Sequence, residues 1–311
     1  YYNPIYKSPN FRYTLEYIVR FYTKLISKVV EYISSKLFGI RYNCWTLFIG
    51  KGDFINSSLF RLKPIKLPKN EFWADPFIVN YNKENYVFFE NYNYKTKKGK
   101  ISCGKIKKQE LVNITDVLDF DYHLSYPYIF KENGDIFLMP ETSENNRLEL
   151  YKCINFPDKW ELYSTAFEGE KVVDATFYDD DNNQKWLFIN KQVNSNTVMD
   201  NELFIYKVET LKLENLEPHN LNPVIIDSQK ARNAGAIFKY ENETYRPSQA
   251  NIEGVYGRAL NINKIEKLTI DEYHEKNIVT VYPNFHKGLM STHHLHQSDN
   301  LFVIDAAFKK K

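Results

Sequence analysis

The sequence predicts an all-β fold, a five-bladed β-propeller, preceded by an N-terminal amphipathic helical segment. A hairpin phrase recurs at intervals of roughly 50 residues, close to the length of one propeller blade. Aromatic residues make up 16% of the chain, with 24 Tyr and 22 Phe, and they favour pleated, half-buried sheets. Residues 11–38 instead show helical periodicity. We therefore predict a helical segment over residues 1–42 and a propeller over residues 43–311.

The helical segment has one broad apolar stripe opposite most of its charged residues. The stripe recurs at three- and four-residue spacing and consists of Leu15, Ile18, Val19, Tyr22, Leu25, Ile26, Val29 and Ile33. This pattern predicts one long amphipathic helix or two short ones. Such a helix could pack on the propeller or on an upstream domain, which could be catalytic. Alternatively, it contacts a membrane surface through residues 11–38. Because the sequence begins with Tyr1 and not Met, an upstream domain or a signal peptide is an open alternative.

Five similar hairpins follow the helical segment. They are Asp75–Glu90, Tyr126–Glu141, Asp174–Asn190, Ala234–Gln249 and a weaker copy, Met290–Asp305. The first four are followed by further strand-like segments, which are Lys100–Ile106, Leu148–Cys153, Leu203–Val208 and Ala259–Ile262. A β-sandwich would not explain why the same hairpin pattern recurs in the same register. Five blades, each with one hairpin as its inner two strands, would explain it.

Composition excludes several classes of protein. The formal net charge is +2 and dense basic runs are lacking, so no nucleic-acid partner is predicted. The 3 cysteines lack CxxC spacing and indicate free thiols in a reducing compartment. We therefore expect a cytoplasmic protein, with the inner face of the membrane as an alternative. No run reaches the roughly 18 apolar residues of a membrane span.

The hairpins place polar residues at one end of the predicted channel. The first strand of each blade lines the channel, and the second strand runs antiparallel beside it. The start of the first strand and the end of the second therefore lie at the same end of the channel, the rim. The candidates that this argument brings to the rim are Trp73, Asp75, Glu90, His123, Tyr126, Glu141, Asp174, Arg232, Arg246, Gln249, His293, His294 and Asp305.

Carboxyl groups gathered around a channel are costly unless they bind cations, accept hydrogen bonds or share protons. Glycosyl transfer and hydrolysis use such groups, because one carboxyl protonates the leaving oxygen while another activates water or attacks the anomeric carbon. Repulsion between neighbouring carboxyl groups can raise the pKa of one of them, so that one group acts as the acid and another as the base. The alternative is structural: acids at strand ends also cap turns or pair with arginine to close a blade.

The DPF phrase at Asp75 resembles the five-bladed glycoside hydrolase clan of arabinanases, β-xylosidases, invertases and levansucrases. The resemblance implies that Asp75 is the base or nucleophile and that Asp174 occupies the position of the third-blade acid, which is Glu in that clan. Tyr126 stands where the clan has its second-blade Asp. This departure speaks against the ordinary hydrolytic mechanism.

A longer resemblance covers about residues 45–305. FWADPFIV, HLSYPYIF, FLMPETSENNRLELY, VVDATFY, YRPSQ and YGRALNINKI are similar to the propeller at the N-terminus of plant glucosamine inositolphosphorylceramide transferases and to bacterial relatives. This family implies carbohydrate metabolism, of a surface polysaccharide or a glycolipid. It also implies a partner catalytic domain, to which the helical segment would be a linker.

A histidine cluster, Thr292–His296, offers a second kind of site. His294 and His296 share one strand face and could bind a transition metal, but histidines that hydrogen-bond a sugar or a carboxylate are favoured. We therefore predict neither a metal nor a cofactor.

Three functions remain open. In the first, Asp75 is the base or nucleophile and Glu141 or Asp174 the general acid. The other rim residues would then bind a sugar, a sugar phosphate or a nucleotide-sugar. In the second, the propeller recognises a glycan without turnover and serves another domain. In the third, it is architectural and mediates assembly.

Overall fold

The computed structural model describes residues 9–40, 42–192, 199, 201–252 and 254–310. Residues 1–8 of the predicted helical segment lie outside the described residues. The chain divides into two compact units, Tyr1–Cys44 with Lys309–Lys311, and Trp45–Phe308. Cys44, Cys103 and Cys153 form no disulfide in the described part of the chain.

The first unit contains one continuous helix, α1 (Phe11–Phe38). Local chemistry sets both ends: the Asn10 side chain accepts the Tyr13 N–H at 3.0 Å, and Gly39 ends the helix with a φ of 66°. None of the residues from Phe11 to Phe38 is buried. No helix in the described ranges is long and apolar enough to span a membrane. Contact of α1 with a membrane or another domain stays a prediction.

The second unit is built from five β-sheets, and the predicted five-bladed propeller is confirmed. Strand β1 (Tyr42–Lys51) belongs to the last blade. Blade one consists of β2 (Glu71–Tyr81), β3 (Glu84–Asn93), β4 (Lys98–Lys107) and β5 (Glu110–Leu118). Blade two consists of β6 (Ser125–Glu132), β7 (Asp135–Glu141), β8 (Leu148–Asn155) and β9 (Lys159–Ala166).

The remaining blades follow the same plan. Blade three consists of β10 (Val172–Asp179), β11 (Lys185–Lys191), β12 (Glu202–Val208) and β13 (Leu216–Pro218), with β14 (Ile225–Ile226) also pairing β12. Blade four consists of β15 (Phe238–Tyr240), β16 (Glu243–Ile252), β17 (Val255–Leu268) and β18 (Tyr273–Val281). Blade five consists of β19 (Leu289–Ser291), β20 (Leu295–Ser298), β21 (Leu301–Lys310) and β1.

Blade five closes the ring. Its strand β21 lies between β1 and β19 and also pairs β20, so the first and last strands of the propeller share one sheet. Strand β2 contacts both β6 and β20, which places the inner strand of blade one between those of blades two and five. The ring therefore has no open edge between its first and last blades.

The first three inner strands share an unusual backbone feature at their start. Asp75, Tyr126 and Asp174 have φ values of 50°, 43° and 51°. At each of them the pairing with the neighbouring strand shifts register. Positive φ is rare for residues other than glycine, and strained backbone of this kind often accompanies function. The bulge turns these three residues out of the regular strand alternation.

Aromatic side chains fill the channel below this level. The Phe77 ring lies 5.0 Å from that of Tyr126 and 4.6 Å from that of His294, measured between ring centres. All three residues are buried. The channel is therefore packed with side chains here, and the rim above it forms a recess.

Candidate active site

The rim encloses a cavity of about 220 Å³. Its walls come from blades one, two, four and five, and the residues lining it are Trp45, Phe72, Ala74, Asp75, Glu90, His123, Ser125, Glu141, Arg232, Tyr256 and His293. Six of them were candidates from the sequence: Asp75, Glu90, His123, Glu141, Arg232 and His293. The aromatic walls Trp45, Phe72 and Tyr256 were not, because they lie outside the recurring hairpin positions.

Asp75 is held at the centre of a polar network. Its Oδ2 accepts the Tyr126 N–H at 3.2 Å, and its Oδ1 lies 3.7 Å from His293 Nε2. Its own N–H donates to Asp305 Oδ2 at 3.0 Å. Burial raises the pKa of Asp75 to about 7; His293 opposes this shift, and the Asp305 and Asp174 carboxylates add to it. Asp75 can thus exchange a proton near neutral pH.

His293 is fixed from two sides. Its Nδ1 lies 2.9 Å from Asp305 Oδ1, and its ring stacks on Trp45 with 4.0 Å between ring centres. Asp305 also accepts the backbone N–H groups of His293 and His294. Although burial opposes it, the Asp305 carboxylate raises the pKa of His293. His293 therefore presents Nε2 to Asp75 as a proton donor.

Glu90 faces the cavity beside His123. Its Oε1 lies 3.5 Å from His123 Nε2, and the Gly99 N–H donates to His123 Nδ1 at 3.0 Å. A side-chain carbon at Gly99 would lie 2.9 Å from Glu90 Oε1, so glycine leaves room for this carboxyl. Burial raises the pKa of Glu90 well above its ordinary value, and the Asp75 and Glu141 carboxylates raise it further.

Arg232 separates Asp174 from the cavity. Arg232 Nε donates to Asp174 Oδ2 at 2.5 Å, its NH2 group lies 3.8 Å from Glu141 Oε2, and its guanidinium lies 5.1 Å from the centre of the Tyr256 ring. Asp174 is only 2% exposed and does not line the cavity. Of the two general acids predicted as alternatives, Asp174 is therefore disfavoured by its position, because its carboxylate is bonded to Arg232 and lies behind the cavity wall.

Glu141 keeps an oxygen in the cavity. The Ser143 hydroxyl donates to its Oε1 at 2.8 Å. Burial raises the pKa of Glu141 to about 8; the Asp174 carboxylate adds to this shift and Arg232 opposes it. Of the two predicted general acids, Glu141 lines the cavity and Asp174 does not.

Arg246 and Trp73 lie away from the cavity, contrary to the sequence prediction. Arg246 is fully buried and binds both oxygens of Glu275, at 2.8 and 2.7 Å. Trp73 packs on Phe89 in the core, with 4.4 Å between ring centres. Both side chains therefore serve packing within the fold.

Three further candidates lie just behind the cavity wall. Gln249 Nε2 donates to Asp174 Oδ2 at 3.4 Å, and the Tyr126 hydroxyl accepts the Gly235 N–H at 3.0 Å. The ring of His294 lies against Phe77 and Tyr126 in the channel. None of the three lines the cavity in the described structure. Their contacts are with residues behind the cavity wall, and their predicted role in substrate binding stays a prediction.

One group among the described residues has metal-ligand spacing. Single ligand atoms of Asp75, His293 and Asp305 all lie within 4.8 Å of one another. The Asp305 carboxylate, however, is directed at N–H groups of the protein, as described above. In the alternative His294/His296 pair, the Ile78 N–H donates to His296 Nδ1 at 2.9 Å, whereas neither ring nitrogen of His294 has a hydrogen-bond partner. Asp75, His293 and Asp305 thus build a hydrogen-bonded network, and the absence of a metal stays a prediction.

Residues 61–301 match the protein-family model described as glucosamine inositolphosphorylceramide transferase 1, N-terminal. This chain belongs to that family. It is 29% identical over 283 residues to glucosamine inositolphosphorylceramide transferase 1 of Arabidopsis thaliana. This alignment covers 80% of the chain and 36% of the relative. The transferase of Oryza sativa subsp. indica is 33% identical over 214 residues, covering 67% of the chain and 28% of the relative. The chain thus spans about a third of the length of these relatives.

Solved structures of glycoside hydrolases share the propeller fold of this chain. A thermostable family-43 glycoside hydrolase matches with a TM-score of 0.55 and 13% identity, covering 76% of this chain and 88% of that one. The catalytic domain of the Coprinopsis cinerea GH62 α-L-arabinofuranosidase matches with a TM-score of 0.54 and 11% identity. The match covers 86% of this chain and 98% of that one. At such low identity the likeness shows the fold. Asp305 and Trp45 lie outside the residues matched by the family model.

The raised pKa of Glu141 predicts a stability cost for the fold at alkaline pH. A carboxyl with a higher pKa in the folded state weakens the fold as pH rises from its ordinary 4.5 towards about 8. We expect Glu141→Gln to raise the free energy of unfolding by about 1–3 kcal/mol at pH 8.5. This is less than the full shift would give at about 1.4 kcal/mol per pKa unit, because the amide also loses the attraction to Arg232. Near pH 4 both states are protonated, so the variant should gain nothing there. Thermal melts at both pH values check this.

Asp135→Asn is the matched control, because Asp135 forms a half-exposed pair with Lys152. It should shift the melting temperature little at either pH. An equal gain for Glu141→Gln at pH 4 and pH 8.5 would contradict the expectation.

Proposed function

We propose that the cavity binds a sugar and catalyses cleavage or transfer at a glycosidic bond. The observation that carries this proposal is the convergence of three carboxyl groups on one cavity: Asp75 and Glu90 are buried, and Glu141 is partly buried. Glycosidic chemistry needs at least two such groups, one protonated and one ionised, on opposite sides of the scissile bond. The aromatic side chains in the cavity wall offer faces on which a sugar ring can stack.

The two catalytic roles follow from the surroundings of each carboxyl. Glu141 holds its proton at neutral pH and gives it to the leaving oxygen, as a general acid. Asp75, oriented by the Tyr126 N–H and facing His293, either takes a proton from the attacking water or acceptor hydroxyl, or attacks the anomeric carbon itself. Arg232 lies beside Glu141 and lowers the cost of the negative charge left when Glu141 gives up its proton.

The relatives support carbohydrate as the class of ligand. The curated relatives carry the name of a transferase that acts on a glycolipid, and one structural neighbour is a β-xylosidase/α-arabinofuranosidase in complex with xylotriose, with a TM-score of 0.53. On this basis we place the function of the chain in glycolipid or surface-polysaccharide metabolism.

A screen for products tests the proposal. Purified protein would be incubated with chromogenic glycosides, sugar phosphates and nucleotide-sugars, with and without acceptor sugars, and released sugar or nucleotide measured. Wild type and the Asp135→Asn control are expected to turn over the same substrate. The double variant Asp75→Asn/Glu141→Gln should give no product above the uncatalysed background. Turnover that survives in the double variant would refute the assignment.

A second candidate is a sugar-recognition domain that presents a glycan to another catalytic domain. Two observations favour it: the chain matches about a third of the length of its relatives, and Tyr126, with its hydroxyl bonded to Gly235, stands where the related hydrolases have a second-blade Asp. This candidate predicts saturable sugar binding without product in the same screen.

A further inference from the structure

We propose that α1 binds an anionic lipid surface and lies flat on it, with its apolar stripe in the lipid and its basic residues at the headgroups. The inference concerns the first compact unit by itself and does not rest on the proposed function of the cavity. Its basis is an exposed apolar face and an excess of positive charge on the same helix.

The apolar stripe of α1 is exposed along its whole length. Each of the eight residues that define it is between 42% and 61% exposed. A continuous apolar face of this kind is uncommon on a protein without a partner and marks an interaction site. In proteins, most of the stability of a helix comes from the packing of its apolar face. The stripe therefore needs a surface that covers it.

The width of the stripe favours a flat surface over a second helix. Two columns with seven-residue spacing, one through Leu15 and one through Ile18, are enough for the seam of a coiled coil. A third column of Val19, Ile26 and Ile33 lies beside them, where coiled coils usually carry Glu or Lys. Together the columns cover an arc of about 120° around the helix axis. A lipid surface covers this whole arc, whereas a two-helix seam leaves the third column in water.

The charge of α1 selects the kind of surface. Its basic residues are Arg12, Arg20, Lys24, Lys28 and Lys36, and its acidic residues are Glu16 and Glu31. Five basic and two acidic residues give the helix a net charge of +3, whereas the whole chain of 311 residues has +2. The rest of the chain is thus slightly acidic, and the positive charge of the protein is concentrated on this helix. A surface of negative charge complements it.

The basic residues also lie where lipid headgroups would meet them. Arg20, Lys24 and Lys28 have four-residue spacing and form a row beside the apolar stripe. Tyr17 and Phe21, with 6.3 Å between ring centres, lie between this basic row and the stripe. Helices that lie in the membrane interface have this order: apolar side chains in the acyl region, aromatic rings at its boundary, and Lys and Arg at the phosphates.

Vesicle binding by the purified full chain tests the inference. Sedimentation measures the bound fraction with vesicles of phosphatidylcholine alone, and with vesicles in which phosphatidylglycerol replaces one third of that lipid. We expect binding to the anionic vesicles to be at least tenfold tighter. Raised salt should weaken it at least fivefold, because salt screens the charge of the headgroups. Equally tight binding to both vesicles, or binding to neither, overturns the inference.

A pair of matched variants assigns binding to the stripe. Leu25→Gln/Val29→Gln is expected to weaken binding to the anionic vesicles at least tenfold, because it places two amides in the apolar face. Thr23→Gln/Ser27→Gln has the same spacing on the polar side and should bind within twofold of the wild type. All four positions are exposed and Gln is a good helix former, so thermal melts of both variants should match the wild type. An equal loss of binding in both pairs would overturn the assignment.

A third variant and a measurement without lipid separate the alternatives. Arg20→Gln/Lys28→Gln should reduce the preference for anionic vesicles to less than threefold; an unchanged preference overturns the role of the basic row. Light scattering in the absence of lipid measures self-association. A dimer that Leu25→Gln/Val29→Gln converts to a monomer, with no binding to either vesicle, would assign the stripe to a second copy of the chain and overturn the inference.

Discussion

Asp75→Asn is expected to lower kcat on the true substrate by about 10³-fold or more, because it removes the group that takes the proton or attacks the anomeric carbon. The amide keeps the shape of the side chain, so the fold should survive and KM should change little. Kinetics and a thermal melt on the same preparation check both points. A decrease of less than tenfold, with the fold intact, would assign Asp75 to binding.

The same assignment predicts the pH profile of the wild type. Activity should rise as Asp75 ionises, near pH 7, and fall as Glu141 loses its proton, near pH 8. The optimum is therefore narrow and slightly alkaline. In Glu141→Gln the alkaline limb should disappear along with most of the activity, whereas Asp135→Asn should keep both limbs.

Arg246→Met is expected to lower the free energy of unfolding by about 3–5 kcal/mol, because it leaves Glu275 buried without its cation. The guanidinium also donates to the Lys230 carbonyl oxygen at 2.7 Å and to Asn233 Oδ1 at 3.0 Å, and these bonds are lost with it. Urea unfolding followed by circular dichroism measures the change.

The double variant Arg246→Met/Glu275→Leu is the control, since removing both charges should restore much of the lost stability. Because Arg246 does not line the cavity, sugar affinity of the folded variant should match that of the wild type at low temperature. A lower affinity for sugar, with unchanged stability, would indicate that Arg246 takes part in sugar binding after all.

The recurring hairpins were sufficient to predict the propeller, because their register repeats in the sequence itself. They also located the acids at the rim, since strand starts and strand ends meet there by topology. They could not rank those acids: Asp75 and Asp174 occupy equivalent bulges, yet only Asp75 faces the cavity, because Arg232 covers Asp174. That difference depends on one side chain from a different blade.

Three other features could not be predicted from the sequence, for physical reasons. Arg232 and Arg246 both belong to the chain around blade four, and only the three-dimensional packing shows that Arg246 turns towards Glu275. Trp45 reaches the cavity from β1, far from any recurring hairpin, because the first strand joins the last blade. The positive φ values of Asp75 and Tyr126 likewise have no signature in residue type.

The sharing of one sheet by β1 and β21 has a consequence for the time course of synthesis. The N–H of Asp75 bonds Asp305 on β21, a contact that joins residues 230 positions apart. Contacts at such separation form late, because the chain between them must first be ordered. While the ribosome is still making blade five, blades one to four can pair their own strands, yet Asp75 has neither His293 nor Asp305 beside it. The synthesis of β21 thus completes the ring of blades and the hydrogen-bond network around Asp75 in a single event.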